Sequence, residues 1–299
     1  MKKDKVFKST NDLIFYLAIA LLPTIHFVIF YIGVNLNSVR LAFVDYIDGQ
    51  YTFVGFKHFA EFFTGADFPK YMGYLENSVI FYVVNLVVGT PISLLFAFYI
   101  HKKYLGSSLF KVVVYLPQIL SMTVLVIMFK FFASSGYPAL VKALTGERVN
   151  GLLTDFPFVT VMIFTIWTSR GTTALMYTGA FAAIDESIAE SAGLDGANLF
   201  QEFIYIYVPL VFSTISTFLI TGIAAIFTEQ MNLFTFYQLQ DCNPQAMTMG
   251  YYLYATIQHW DTPKSFYPFL SALGLMLTLV TAGLTFIYQK VIDRVDPMK

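Results

Sequence analysis

Six stretches of about 20 mostly apolar residues dominate this chain, and that is the length a helix needs to cross a bilayer core. They run roughly from Leu13 to Val34, Ser78 to Ile100, Phe110 to Ala133, Phe158 to Thr178, Tyr205 to Thr228 and Phe266 to Tyr288. In lipid every backbone N–H and C=O must be satisfied internally, so only helices or closed barrels span. The runs are continuous rather than alternating, which selects helices. The expected fold is an all-α membrane protein built as a six-helix transmembrane bundle.

Composition agrees. Charged residues make up 12% of the chain and apolar ones 57%. Soluble domains carry roughly 25% charged residues. The net charge of −1 gives a nucleic-acid partner no electrostatic support. The single cysteine, Cys242, has no partner for an internal disulfide and reads as an incidental thiol. No metal site is expected. The basic start, Met1-Lys2-Lys3-Asp4-Lys5, precedes a run too long for a signal-peptide core, so the first span reads as retained.

Lysine and arginine placement gives an orientation. Lys2, Lys3, Lys5 and Lys8 lie in an N-terminal tail at 1–12. Lys102 and Lys103 lie in the second connection, with Lys111 just beyond. Lys290, Arg294 and Lys299 lie in a C-terminal tail at 290–299. With six spans all of these fall on one side, so both termini are expected in the cytoplasm. The opposite connections, about 35–77, 134–157 and 229–265, would be external. Pro23, Pro91 and Pro117 fall inside spans, where each removes a backbone donor and should kink its helix.

One cytoplasmic connection breaks the charge pattern. Between Arg170 and Lys264 there is no lysine or arginine, yet the loop at about 179–204 carries Asp185, Glu186, Glu190, Asp195 and Glu202. Asp185 is placed to cap a short helix, with Glu186 in its first turn. Small residues cluster at Ser191, Ala192, Gly193, Gly196 and Ala197, and permit close backbone approach to another surface. Gly196 suits a reversal with positive φ, and Pro209 sits just inside the next span. On these features alone, a plain helix-turn-helix connection and a docking loop stand about equal.

The spacing adds a resemblance. Glu190, Ala192, Gly196, Ile206 and Pro209 match in place the EAA signature of ABC importer permeases, and Asp195 and Ala197 match the usual flanks of its glycine. Ser191 stands where the second alanine is usual, Val208 where leucine is usual, and Asp185 where sugar permeases commonly have proline. The likeness covers nearly the whole chain. Residues 51–59 resemble a segment in which His58 replaces the usual asparagine. Glu76-Asn77-Ser78 resembles the opening of the second span, and Leu109-Phe110-Lys111 through Leu116-Pro117 the entry to the third. Trp167 and the run 176–181 match the approach to the signature. The chain resembles the carbohydrate-importer permeases of the maltose and glycerol-phosphate, binding-protein-dependent type.

That resemblance implies the type I ABC importer permease fold, with a permease domain at 13–289 in a bacterial cell membrane. It implies a second permease subunit, forming a heterodimer, and two copies of a cytoplasmic ATPase that bind ATP and magnesium. An extracellular or periplasmic solute-binding protein would deliver a sugar, expected to be an oligosaccharide. Glu190, Ser191, Ala192, Asp195, Gly196, Ala197, Ile206 and Pro209 would form the loop that couples to the ATPase. The chain itself contains no Gly-x4-Gly-Lys-Ser/Thr phosphate loop, and Thr145-Gly146-Glu147-Arg148 lacks the lysine. It is therefore expected to be a transport subunit without catalytic residues or a cofactor of its own.

The alternatives are a permease for another polar solute or a secondary transporter. The latter would want internal repeats and carboxylates at span centres, and neither is evident. An intramembrane enzyme would want a nucleophile–base pair, and His26, His58, His101 and His259 are scattered. Within the spans, Lys130 and Arg170 are expected to snorkel to the interfaces. Asn85 and Gln118 are expected to bind neighbouring helices, and His26 to be hydrogen-bonded. Tyr82, Tyr115, Trp167, Tyr177, Gln230, Asn232 and Tyr237 offer the aromatic faces and polar groups a sugar needs. Their abundance selects none, and the substrate site stays unassigned.

Overall fold

The computed structural model describes residues 10–239 and 242–295. The chain divides into two compact units, Met1–Gly65 with Pro263–Met276, and Ala66–Thr262 with Leu277–Lys299. The expected tails lie outside the described residues at 1–9 and 296–299.

The first unit opens with α1 (Thr10–His26), a π-helical segment at Phe27–Gly33 and α2 (Val34–Leu41). Ile14–Leu41 is a 28-residue apolar stretch, and its most apolar window has no residue buried in the chain. A helix apolar on every face belongs in lipid or in a core. A hairpin follows, β1 (Val44–Ile47) paired antiparallel with β2 (Gln50–Phe53), Val44 opposite Phe53 and Ile47 opposite Gln50. Its turn is Asp48-Gly49, with φ of 49° and 82°. Positive φ at both central residues is what a two-residue hairpin turn of the mirror-image type requires. α3 (Lys57–Thr64) packs beside β1. Lys57 Nζ donates to Asp45 Oδ2 at 2.6 Å, and this bond holds the Asp45 carboxyl below its ordinary 3.8. His58, buried, lies with Nε2 2.9 Å from the Val44 carbonyl oxygen.

The second unit holds α4 (Phe68–Val84), α5 (Thr90–His101), α6 (Ser107–Ile119), α7 (Met122–Phe131), α8 (Tyr137–Thr145) and α9 (Leu152–Asp155). It continues with α10 (Pro157–Ala182), α11 (Glu186–Leu194), α12 (Leu199–Glu202), α13 (Val208–Leu210), α14 (Phe212–Ala225), α15 (Leu233–Tyr237) and α16 (Met249–Gln258). A last helix, α17 (Tyr267–Val295), begins in the first unit and ends in the second. It therefore runs through the first part of the expected C-terminal tail.

Three prolines share one local solution. Pro91, Pro138 and Pro209 each follow a five-residue π turn, at Asn85–Gly89, Phe132–Gly136 and Phe203–Tyr207. At each turn's end an N–H reaches five residues back: Thr90 to Asn85, Tyr137 to Phe132, Val208 to Phe203. A proline ring clashes with the carbonyl four residues before it. Inserting one residue into the turn moves that carbonyl aside and keeps the helix continuous.

Two expected spans are not single helices. The third, Phe110–Ala133, is divided: α6 ends at Ile119, Leu120 is extended (φ −79°, ψ 150°), and a new helix starts at Met122. At 13 residues α6 is about 20 Å long, short of a bilayer core, whereas Met122–Thr145 has 24 residues. Hydropathy continues through the break and is blind to it. The fifth, Tyr205–Thr228, bends by 67° between Leu210 and Phe212. Among the described residues four helices are long and apolar enough to cross a membrane, or five with that bent pair taken as one span. The fourth expected span lies in α10, which is long enough at 26 residues but polar at its centre.

α10 organises the second unit and packs along α5 and α6. Its first part places Val161 and Phe164 in a core with Phe81, Val126, Leu233 and Phe236. Its last part places Tyr177 and Phe181 in another core with Leu94, Phe98, Phe203 and Tyr207. Gly171 lies where a Cβ would come within 2.7 Å of the Val114 carbonyl oxygen, so α6 meets α10 backbone to backbone. Between the two cores the α10 sequence is Thr165, then Thr168-Ser169-Arg170-Gly171-Thr172-Thr173.

Candidate functional site

The acidic loop folds as its local chemistry directs. The Asp185 side chain accepts the Ser187 N–H at 3.0 Å and caps α11. That bond lowers the pKa of Asp185 below its ordinary 3.8. At the other end Ala197 N–H bonds to Ala192 O at 3.0 Å and Gly196 N–H to Gly193 O at 3.1 Å. This paired arrangement is a Schellman cap, and it needs a left-handed residue, here Gly196 at φ +84°. The turn hands the chain to Asn198, which caps α12 in a reciprocal box with Gln201.

Glu190, Ser191, Ala192, Asp195, Gly196 and Ala197 are thus gathered on α11 and its cap. Ile206 and Pro209 are not with them. They lie in the re-entering segment, partly buried, and Ile206 packs against the core of Phe98 and Tyr207. α11 rests on the core of Phe98 and Tyr207 through Ala189 and leaves most of its surface exposed. Glu190, Ser191, Asp195 and Gly196 are exposed, Leu194 is 90% exposed and Phe200 71%. Among the described residues no ion pair engages Asp185, Glu186, Glu190 or Asp195. The surface combines unpaired carboxylates with bare apolar side chains.

The base of the loop is the reverse. Glu202 is buried and pairs with Lys102, the C-cap residue just past the end of α5. Lys102 Nζ also sits over the Tyr207 ring at 5.2 Å, and His101 Nε2 lies 3.2 Å from the Tyr207 hydroxyl. Burial by itself would lower the Lys102 ammonium, but the Glu202 hydrogen bond and the Tyr207 contact reverse this and hold its pKa above 10.5. Lys102 also closes the negative end of the α5 dipole. Charge patterning assigns Lys102 only a role in orientation and groups Glu202 with the other acidic residues of the loop. Their separation of 100 positions hides the pair from any local pattern.

A second feature lies at mid-length of α10. A cavity of about 440 Å³ is lined by Asn85, Gln118, Thr165, Arg170, Thr173 and Asn232 among others. Arg170 does not snorkel. It is 7% exposed and bonds to Asn85 Oδ1 at 2.7 Å, Ser169 Oγ at 2.8 Å, Ile166 O at 2.9 Å and Ser93 Oγ at 3.3 Å. Asn85 and Gln118 bind neighbouring helices as expected, Gln118 through the Thr168 carbonyl. Lys130 also turns inward, donating to Phe236 O at 2.6 Å. Of the residues weighed as sugar contacts, only Asn232 lines this cavity; Tyr177 is buried in a core and Trp167 is half exposed.

With this geometry in view, the relatives are informative. Residues 89–297 match the family described as the inner membrane component of binding-protein-dependent transport systems. The chain belongs to that family. Its membrane helices and its role as a transport permease follow from that membership. Among curated relatives, the polygalacturonan/rhamnogalacturonan transport system permease protein YteP of Bacillus subtilis is 28% identical over 70% of this chain and 67% of its own length. The arabinooligosaccharides transport system permease protein AraP of Halalkalibacterium halodurans is 23% identical over 82% of this chain and 77% of its own. The lactose transport system permease protein LacF of Rhizobium radiobacter is 30% identical over 55% and 58%. A subunit of a bacterial alginate ABC transporter, crystallised with an alginate pentasaccharide-bound periplasmic protein, shares the fold at a TM-score of 0.75. That likeness spans 95% of this chain and 96% of the other, at 22% identity.

Proposed function

We propose that this permease forms half of the membrane path of an ATP-driven oligosaccharide importer, and that α11 is where a separate ATPase docks. The observation that carries the reading is the contrast within one loop. An exposed, acidic and apolar helix stands on a base that is ion-paired to the end of α5. A surface of that kind fits a partner with cationic and apolar groups, and the base passes its movement to the spans. Sugar as the solute is supported by the names of the relatives, three of which concern polysaccharide, oligosaccharide or disaccharide transport.

The partners follow from this reading: a second permease, two ATPase copies holding ATP and magnesium, and a solute-binding protein on the far side. Both termini then lie with the ATPase in the cytoplasm. Glu190 and Asp195 act as polar anchors and Gly196 as the turn that presents them; none is catalytic. The test is Gly196→Val in the reconstituted importer. Membrane insertion should persist while ATP-dependent uptake and co-purification of the ATPase are lost; unchanged uptake and co-purification would sink the docking role. The purified chain alone should hydrolyse no ATP.

A further inference from the structure

We propose that the cavity beside α10 takes a carboxylate-bearing sugar, and that Arg170 is the residue that selects it. The proposal rests on the reading of this chain as a sugar path and names the class of sugar.

Arg170 is a buried charge with no counter-charge among the described residues. A guanidinium carries five N–H donors. Four of those of Arg170 are used, by the Ile166 carbonyl, the Ser93 and Ser169 hydroxyls and the Asn85 amide oxygen. All four acceptors are neutral. Among the described residues no ion pair includes Arg170. Buried charges are normally paired, because taking one out of water costs several kcal/mol. Here the neutral bonds fix the guanidinium in place and leave its charge, and one Nη1 donor, uncompensated.

The surroundings are built to hold that group in position. Asn85 and Gly89 open and close the π turn that precedes Pro91. A Cβ on Gly89 would come within 2.5 Å of Arg170 Nη1, so the glycine leaves room for the guanidinium against this turn. Most of the remaining lining is amide and hydroxyl, Gln118, Thr165, Thr172, Thr173 and Asn232 among them, beside the apolar Phe81 and Met122. Such groups hydrogen-bond sugar hydroxyls without competing for a carboxylate. At about 440 Å³ the cavity is within the usual range of small-molecule sites, roughly 300–1,000 Å³. One carboxylate does line it, Glu229, which is exposed and accepts the Met231 N–H at 2.9 Å. One free donor and one charge suit a single carboxylate; a phosphate dianion would call for more charged donors than the lining supplies.

The experiment compares digalacturonate with its dimethyl ester, which keeps the shape and removes the charge. Binding is measured by titration calorimetry on the intact permease–ATPase complex in nanodiscs, without the solute-binding protein. Wild type should bind the acid about tenfold more tightly than the ester, the worth of one charge-assisted hydrogen bond. Arg170→Gln should bring the acid down to the ester and leave the ester unchanged, while Arg170→Lys should keep part of the preference. Equal affinities in wild type, no binding of either compound, or an acid-to-ester ratio that survives Arg170→Gln would overturn the proposal. The wild-type comparison stands even if a variant does not fold. Failure of the ATPase to co-purify would instead count against the docking role of α11.

Discussion

Leu194 at the tip of the acidic loop is 90% exposed, whereas Glu202 at its base is buried and bound to a lysine from another helix. The two lie in the same connection between α10 and α14, in a stretch of uniformly acidic character. The tip has bonds within itself, an Asp185 cap and a Schellman turn, that fix its local shape, while Ala189 rests on the core of Phe98 and Tyr207. The base is held by a long-range ion pair and an aromatic core, so its position is set by α5. A loop rigid in shape and anchored at one end can transmit displacement. A loop that was flexible at the tip or loose at the base would absorb it.

The strongest way to break this contrast is at the base. Glu202→Ala leaves Lys102 without its counter-charge and should cost about 2 kcal/mol, below the roughly 3–5 kcal/mol of a fully buried pair because Lys102 keeps some exposure. Uptake should fall by more than tenfold with ATPase binding retained, and the swap Lys102→Glu with Glu202→Lys should restore much of it. A swap that rescues nothing would reduce the pair to packing. Because the Lys102 pKa is raised, its contribution is complete below 10.5 and is lost only as pH rises through the folded value. The thermal stability of the complex should therefore show no step from this pair between pH 6 and pH 9.

The next effect is at the tip. Gly196→Ala should destabilise the cap by about 1–2 kcal/mol, because φ is +84° although nothing crowds the position. Gly193→Ala sharpens the point. Gly193 has ordinary helical geometry and open space around it, so alanine there should gain up to about 1 kcal/mol of local helix stability. Binding of the ATPase should separate the two variants: loss in both would mean that the partner packs onto Gly193 itself. The smallest effect is expected from Asp185→Ala, which removes one exposed cap bond. Hydrogen exchange in the first turn of α11 should rise while uptake stays near normal.

Elsewhere the two kinds of determinant separate in the same way. The helical class, the cap at Asp185 and the turn at Gly196 were all legible, because each depends on residues adjacent in the chain. The hairpin turn at Asp48-Gly49 was equally legible, with Tyr46 and Tyr51 flanking it, but a search for apolar runs passes over so short a signal. The break at Leu120 and the bend at Val211 were not. Hydropathy stays high through both despite Ser121 at the start of α7, and the change lies in backbone dihedrals. Arg170 shows a further limit. An arginine in an apolar run is expected to reach for water, and only the arrival of Asn85 and Ser93 from other parts of the chain lets it stay inside.

What the sequence alone determined is therefore the inventory: apolar helices, and an acidic loop with its own start and stop. Each follows from forces that act within a turn or two of helix. Which charges would be paired and which left bare was decided only by the tertiary structure. Glu202 found Lys102, Arg170 found neutral acceptors, and Glu190 and Asp195 found none. Burial and distance settle that choice, and neither can be read from residues far apart in the chain.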